Sequence, residues 1–289
     1  MSRVARLSIC CITVAIQCCR GVDFNAPRQL QTTQPVRDVR TIRVVTWNID
    51  RGRELNRISS DLARSPADLC LLQEVDWNSN RTKRADIGAQ LAQRLQLNLV
   101  YGIEFEELSQ ESEQHAFIGQ ATLTRLPVRA ARVLRFREQS GFWQPRAWIP
   151  SHSALFQRRL GSRIALVTEL EFVGQLLVVY NAHLESRSLG HLQGAQLQEI
   201  FDDLKRYPRD TPVILGGDLN TKYFPSRFLR TIESQGFRSA TGKRVERTAK
   251  ILALDWIFAR GPIKIGSGAV NRSFSGSDHL PVFATIEAE

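Results

Sequence analysis

The runs "RIALVTEL" (163–170) and "QLLVVYNA" (175–182), separated by a short turn at Gly174, decide the fold class. Each has the composition of a buried strand, and so short a connection joins antiparallel neighbours, because parallel ones need a crossover of a dozen residues or more. Working outward, further apolar runs at 42–47, 68–73, 97–101, 118–124, 211–216, 254–259 and 280–286 read as strands. Between them Ile87, Leu91 and Leu95 recur at helical spacing. So do Leu197, Ile200, Phe201 and Leu204, marking a helix over about 189–206 that Pro208 ends. Strands alternating with helices, plus one hairpin, predict an α/β layered domain: a mixed sheet, or two packed sheets with helices outside. A purely parallel, doubly wound sheet is excluded. The sequence contains no internal repeat and no low-complexity segment.

A hydrophobic fraction of 43% and a charged fraction of 24% over 289 residues exclude disorder and coiled coil. Lys and Arg outnumber Asp and Glu by 39 to 29, with only six lysines. A basic, arginine-rich surface favours anionic partners such as phosphates, nucleic acid or acidic lipid headgroups. A composition bias of the source genome explains the same excess equally well.

Four of the five cysteines (Cys10, Cys11, Cys18 and Cys19) crowd the first twenty residues, and Cys70 lies in an apolar run. Beyond the leader no internal disulfide, thiolate metal site or thiol nucleophile is available, and Cys70 reads as a small core residue. Residues 1–20 open with two arginines, Arg3 and Arg6, followed by ten mostly apolar residues from Leu7 to Ile16, too few for the roughly 20 needed to cross a bilayer. They are expected to be a signal peptide or, through Cys18 and Cys19, a lipoprotein leader, although Gln17 suits lipoprotein cleavage poorly. Export to the periplasm or medium, or lipid anchoring to a membrane, follows; a misplaced start and a cytoplasmic protein are the alternative. Residues 21–40 read as a linker and 41–289 as one domain, expected to be monomeric.

Several strands end on polar groups: Asn48 and Asp50 after "RVVTW", Glu74 after "LCLLQ", Asn181 and His183 around the end of "LLVVYNA", Asp218 and Asn220 after "VILGG". Asp255 in "ALDWIF" and Asp278-His279 in "GSDHLPV" join them. Rigid strand ends hold side chains that open loops leave accessible. Singly, each has a local explanation: Asx turns for the Asn48–Asp50 and Asp218–Asn220 pairs, a cap for Glu74, a satisfied surface histidine for His183. Asp255 differs, since its flanks Leu254 and Trp256 place it in an apolar strand, where an unpaired carboxylate costs several kcal/mol. It needs a cation or a histidine. The oxygen donors Glu74, Asp278 and Asn48 suit Mg²⁺ or Mn²⁺, whereas the lack of cysteine and of paired histidines argues against zinc. Such an ion beside a water-orienting carboxylate is the arrangement for attack on phosphorus.

The ordered set "WNID", "LLQEVD", "NAHLES", "GGDLNT", "LDWIF" and "SDHLPV" resembles the endonuclease/exonuclease/phosphatase superfamily across the whole domain. The resemblance implies a DNase I-like four-layered sandwich, two packed mixed β-sheets flanked by helices. It also implies that Glu74 is the principal ligand of Mg²⁺ (or Mn²⁺), with Asn48 and Asp278 nearby and Asp50 and Asn181 behind them. Asp218 would orient or deprotonate the attacking water, and Asn220 would hold that water or a phosphoryl oxygen. His279, fixed by Asp255, would contact the scissile phosphate, and His183 would lie near the leaving group. The expected activity is hydrolysis of a phosphoester, foremost a phosphodiester as in a nuclease. The alternatives are a lipid or small-molecule phosphatase of sphingomyelinase type, and a catalytically silent binding module. Where many bacterial members carry an arginine and a glutamine after "HLES", this chain has His191, Gln193 and Gln196, which puts a phosphate contact there in doubt. Residues 137–159 mix Phe142, Trp143 and Trp148 with Arg146, Arg158 and Arg159, suiting either a clamp for a nucleobase or sugar phosphate, or a packed β-edge.

Overall fold

The computed structural model describes residues 22–36, 39–109, 115–143 and 158–289; the expected leader lies outside them, as do Arg146 and Trp148. Two mixed sheets pack face to face. The larger is built from β1 (Arg28–Leu30), β2 (Thr41–Arg51), β3 (Leu69–Trp77), β4 (Asn98–Glu107), β5 (Phe117–Thr124), β7 (Arg159–Gly161), β13 (Ile263–Val270) and β14 (Val282–Ala288). Its order is β1-β4-β5-β3-β2-β14-β13, with β7 also on β4. The smaller contains β6 (Val128–Arg135), β8 (Ile164–Phe172), β9 (Gln175–His183), β10 (Val213–Asp218), β11 (Arg238–Ser239) and β12 (Asp255–Arg260), in the order β11-β12-β10-β9-β8-β6. The predicted hairpin is β8–β9, closed by Val173 and Gly174, both at positive φ as a type I′ turn requires. Among the described residues only β2–β3 and β9–β10 pair in parallel.

Period-two alternation sorts each strand between layers. In β2, Ile42 and Val44 face the other sheet, while Val45, Trp47 and Ile49 face α1 (Leu55–Arg64) and α2 (Ile87–Leu95) outside. In β9, Leu177 and Val179 face inward, while Val178, Tyr180 and Ala182 meet α3 (His191–Asp203) and α4 (Pro225–Glu233). Each fully buried aliphatic side chain contributes about 1.5–3 kcal/mol. The result is the four-layered, DNase I-like sandwich, helices outside two central sheets. Cys70 is buried in the layer under α1 and α2, and burial pushes its thiol up to about 12, which suits the core role.

The structure adds elements the periodicity does not reveal. β6 and β13 are half-exposed strands interrupted by arginines or glycines, and α1 and α4 offer few apolar positions each. Part of the stretch expected to be a linker is packed: β1 pairs with β4, and Arg28 lies 3.9 Å over the Trp77 ring and 2.6 Å from Asp86. No helix among the described residues is long and apolar enough to cross a membrane.

Candidate active site

The alternation that builds the middle layer also aims the site. Asn48 shares the inward face of β2 with Val44, His183 that of β9 with Val179, Asp218 that of β10 with Ile214, and Asp255 that of β12 with Ile257. Glu74 has the wrong parity for this face, since Cys70 and Leu72 point outward. A β-bulge between Leu72 and Val75, with Glu74 at φ 52°, inserts the extra residue that turns it inward. Gly217 (φ 142°) is required by its own sheet, because a Cβ there would sit 1.8 Å from the carbonyl oxygen of Ala182 on β9. Its close approach is to the neighbouring strand, not to a ligand.

Asp218 is 2% exposed and stands at the centre. Its Oδ1 accepts the Asn220 backbone N–H at 3.0 Å, and the Asn220 amide donates to the Leu184 carbonyl at 3.0 Å. The Asx turn considered from sequence is therefore real, and it locks the carboxylate so that Oδ2 faces Asn48, His183 and His279. Around Oδ2 stand Asn48 Nδ2 at 3.1 Å, His183 Nε2 at 3.7 Å and His279 Nε2 at 3.9 Å. The two imidazole separations are too long for direct hydrogen bonds and of the length that water bridges.

Asp255 finds the histidine it needs: His279 Nδ1 donates to it at 2.8 Å. Burial disfavours the imidazolium, but Asp255, by charge and hydrogen bond, and then Asp218 and Asp278 outweigh it and hold the pKa at about 10. Burial pushes the Asp255 carboxyl upward, opposed by the same imidazolium. His279 therefore keeps an Nε2–H directed toward Asp218 at neutral pH. Among the described residues, Asp218, Asp255 and His279 are the three potential ligand-bearing side chains whose ligating atoms lie within 4.8 Å of one another. The protonated imidazole with Nδ1 already committed makes this trio an ion-paired proton holder rather than a metal cage.

On the facing wall Asn48 Nδ2 lies 3.4 Å from Glu74 Oε1, and Arg51 Nη2 lies 3.2 Å from Glu74 Oε2. Burial would raise the Glu74 carboxyl, but Arg51, followed by His183, Arg163 and Arg159, pulls it down to about 2, so it is an ionised oxygen donor at any ordinary pH. Two carboxylates, Glu74 and Asp218, converge on the Asn48 NH2; their oxygens are donors of the kind hard divalent cations take, and Asn48 would add its Oδ1 with the amide turned over. The residues thus fit Mg²⁺ or Mn²⁺. Asp278 departs from expectation: it is exposed, it accepts from Ser277 Oγ at 3.4 Å, and among the described residues no hydrogen bond or ion pair joins it to Glu74 or Asn48. Asp50 is held by Arg51 and Arg53, while its N–H donates to Asn48 Oδ1 at 3.2 Å, the other Asx turn. Asn181 bridges the sheets below the site, accepting from Gln73 Nε2 at 2.7 Å and donating to the Leu72 and Ala121 carbonyls.

Three charged residues are absent from the strand-end pattern. Glu104 and Arg163, 1% and 5% exposed, pair at 2.6 Å and enclose His183: Glu104 Oε2 is 3.2 Å from Nδ1, and Arg163 Nη1 is 2.8 Å from Nε2. The same Nη1 is also 2.9 Å from Nδ1, so the guanidinium lies against the imidazole as a whole rather than bonding one ring nitrogen. Arg51 is the third. Glu104 carried a legible signal, being flanked by Ile103 and Phe105 as Asp255 is flanked by Leu254 and Trp256. Gln193 and Gln196 support the backbone: Gln193 Nε2 donates to the Glu185 and Asn220 carbonyls, and Gln196 Oε1 accepts the Glu185 N–H. In the 137–159 segment Phe142 is exposed with the Arg187 guanidinium 3.5 Å over its ring, and Arg159 binds Glu107 at 2.7 Å.

The model of the Endonuclease/Exonuclease/phosphatase family matches residues 45–279. No curated protein matches the chain. Among solved structures, an endonuclease/exonuclease/phosphatase from Beutenbergia cavernae superposes with a TM-score of 0.63 at 19% identity, covering 86% of this chain and 72% of that one. A humanized D. rerio TDP2 gives 0.60 at 18% identity, covering 86% and 100%. An endonuclease/exonuclease/phosphatase family protein from Leptotrichia buccalis gives 0.60 at 18%, covering 86% and 99%. At such identities these likenesses speak for the fold alone.

Proposed function

We propose that this chain, which belongs to the endonuclease/exonuclease/phosphatase family, is a divalent-metal-dependent phosphoesterase that hydrolyses a phosphodiester with water oriented by Asp218. The observation that carries this reading is the surroundings of Asp218 Oδ2, with one amide and two imidazole nitrogens within 3.9 Å while Oδ1 is tied to the backbone. A carboxylate so held accepts the proton of an attacking water. His279 offers its Nε2–H to a phosphoryl oxygen on which charge grows, and Asp255 keeps that proton in place and the ring oriented. Asn220 fixes the direction of Asp218, and Glu104 and Arg163 fix that of His183.

Glu74 and Asn48, joined by Asp278 if it turns inward, would hold Mg²⁺ or Mn²⁺, which would neutralise phosphoryl oxygens as a Lewis acid. The guanidiniums of Arg51, Arg163 and Arg159, close enough to act on Glu74, add to a positive potential that suits an anionic substrate.

The test is hydrolysis of an aryl phosphodiester, plasmid DNA, RNA, sphingomyelin and inositol phosphates with Mg²⁺ or Mn²⁺, chelator and variants side by side. Activity should appear with metal and vanish with chelator. Asp218→Asn and His279→Ala should each lose roughly 10²-fold or more in rate. Wild-type rates in both variants would overturn the assignment.

A further inference from the structure

The chain that leaves β9 and the chain that leaves β10 run from site residues straight to exposed apolar ones. After His183 comes Leu189, 75% exposed; after Asn220 come Tyr223 and Phe224, 46% and 78% exposed. Phe224 also sits in the left-handed region (φ 52°, ψ 52°) at the start of α4, a conformation that costs a bulky residue about 1 kcal/mol or more. Neither burial nor backbone ease accounts for an aromatic there. The two loops are fixed to each other and to the site: Lys222 Nζ donates to the Ser186 carbonyl at 2.8 Å, and Gln193 spans the Glu185 and Asn220 carbonyls. Between them lies a groove of about 520 Å³, within the size range of small-ligand sites, with Leu189, Tyr223 and Phe224 at its edge and His191, Arg227 and Thr231 supplying polar groups.

We propose that this groove receives a nucleobase of single-stranded nucleic acid, placing the adjoining phosphodiester at Asp218; this rests on the phosphodiesterase reading above. Exposed aromatic rings give a stacking platform for any base, and Arg227 and Lys222 supply positive charge for the flanking phosphates in a chain of net charge +10. The polar groups of His191 and Arg227 suit the edge of a base better than they suit an acyl chain, while the Thr231 hydroxyl already donates to the Arg227 carbonyl. A concave groove also suits an inserted ring better than a flat membrane surface does. The preorganised loops mean that a base seated here is registered to Asn220.

Binding of a short labelled oligothymidylate, read by fluorescence anisotropy in chelator so that nothing is cut, tests this. Phe224→Ala should weaken binding roughly tenfold, the scale of one lost base stack, Leu189→Ala should weaken it by less, and Phe224→Tyr should restore the affinity where Phe224→Leu does not. Turnover of methyl nitrophenyl phosphate with Mg²⁺ should keep its wild-type kcat in all of these variants, which also reports that they fold. Oligonucleotide affinity indifferent to Phe224 and Leu189 overturns the proposal. So does Phe224-dependent binding to phosphatidylglycerol vesicles without Phe224-dependent binding to oligonucleotide. If wild type cleaves no phosphodiester yet binds the oligonucleotide through Phe224, the catalytic reading fails and the groove assignment stands.

Discussion

The two sheets reach the cleft by opposite means. In the smaller one β9 and β10 run in unbroken parallel register from Val178 opposite Val213 to His183 opposite Asp218, so the pleat alone aims the two polar ends inward. In the larger one β2 and β3 lose register between Asn48 and Arg51, β3 and β5 lose it between Leu72 and Val75, and Asp50, Arg51 and Glu74 all adopt positive φ. One wall is regular and presents Asp218, His183 and Asp255, with His279 reaching Asp255 from the loop that leads into β14 of the larger sheet. The other gives up strand pairing to turn a single carboxylate and its arginine toward the first. The difference teaches that a carboxylate of the right parity can be aimed by the regular pleat. A group of the wrong parity needs a bulge, and the strain at Glu74 is stored where it is used.

The sharpest way to separate the walls is functional. Glu74→Gln and Asp218→Asn should both lose roughly 10²-fold or more in rate. Glu74→Gln should recover part of its rate as Mn²⁺ is raised, whereas Asp218→Asn should not, and rate against metal concentration reads this directly. Equal recovery in both would erase the division of labour. Breaking the regular wall structurally comes next. Gly217→Ala places a Cβ within 1.8 Å of the Ala182 carbonyl at a φ of 142° and should cost about 3 kcal/mol or more in denaturant unfolding.

The smallest effect is electrostatic. The His279 pKa is raised from 6.5 to about 10 in the folded state, so its contribution to stability is complete below about pH 6.5 and is lost as pH rises through about 10. In chelator, the stability difference between wild type and His279→Gln should therefore be largest near pH 6, on the order of 2 kcal/mol, and shrink toward pH 10. A difference that grows with pH would mean that the imidazole is not held protonated by Asp255.

Much of this was legible beforehand, for identifiable reasons. Strands announce themselves through apolar runs, and a polar residue at the end of such a run, such as Asn48, His183 or Asp218, is conspicuous, as is one flanked by apolar residues within it, such as Asp255. The local interpretation and the functional one proved compatible: Asn48 with Asp50 and Asp218 with Asn220 do form Asx turns, and those turns are what orient the site carboxylates and amides. Arg163 and Arg51 were not legible, because an arginine beginning or ending a strand looks like any solvated charge until its partners, Glu104 and Glu74, are found 59 and 23 positions away. Asp278 shows the reverse. Its motif was clear, yet the side chain points to solvent while its neighbour His279 enters the cleft.

The sequence by itself determined nine of the strands, the hairpin, two of the helices and the types of polar residue delivered at strand ends, since hydrophobic periodicity and turn chemistry are local properties. Tertiary structure alone decided which face of each strand looks into the cleft, that Glu74 is turned inward against its parity, and that His183 stands between Glu104 and Arg163. Those outcomes depend on sheet pairing, bulge position and buried charge compensation between residues far apart in the chain, and no local pattern records them.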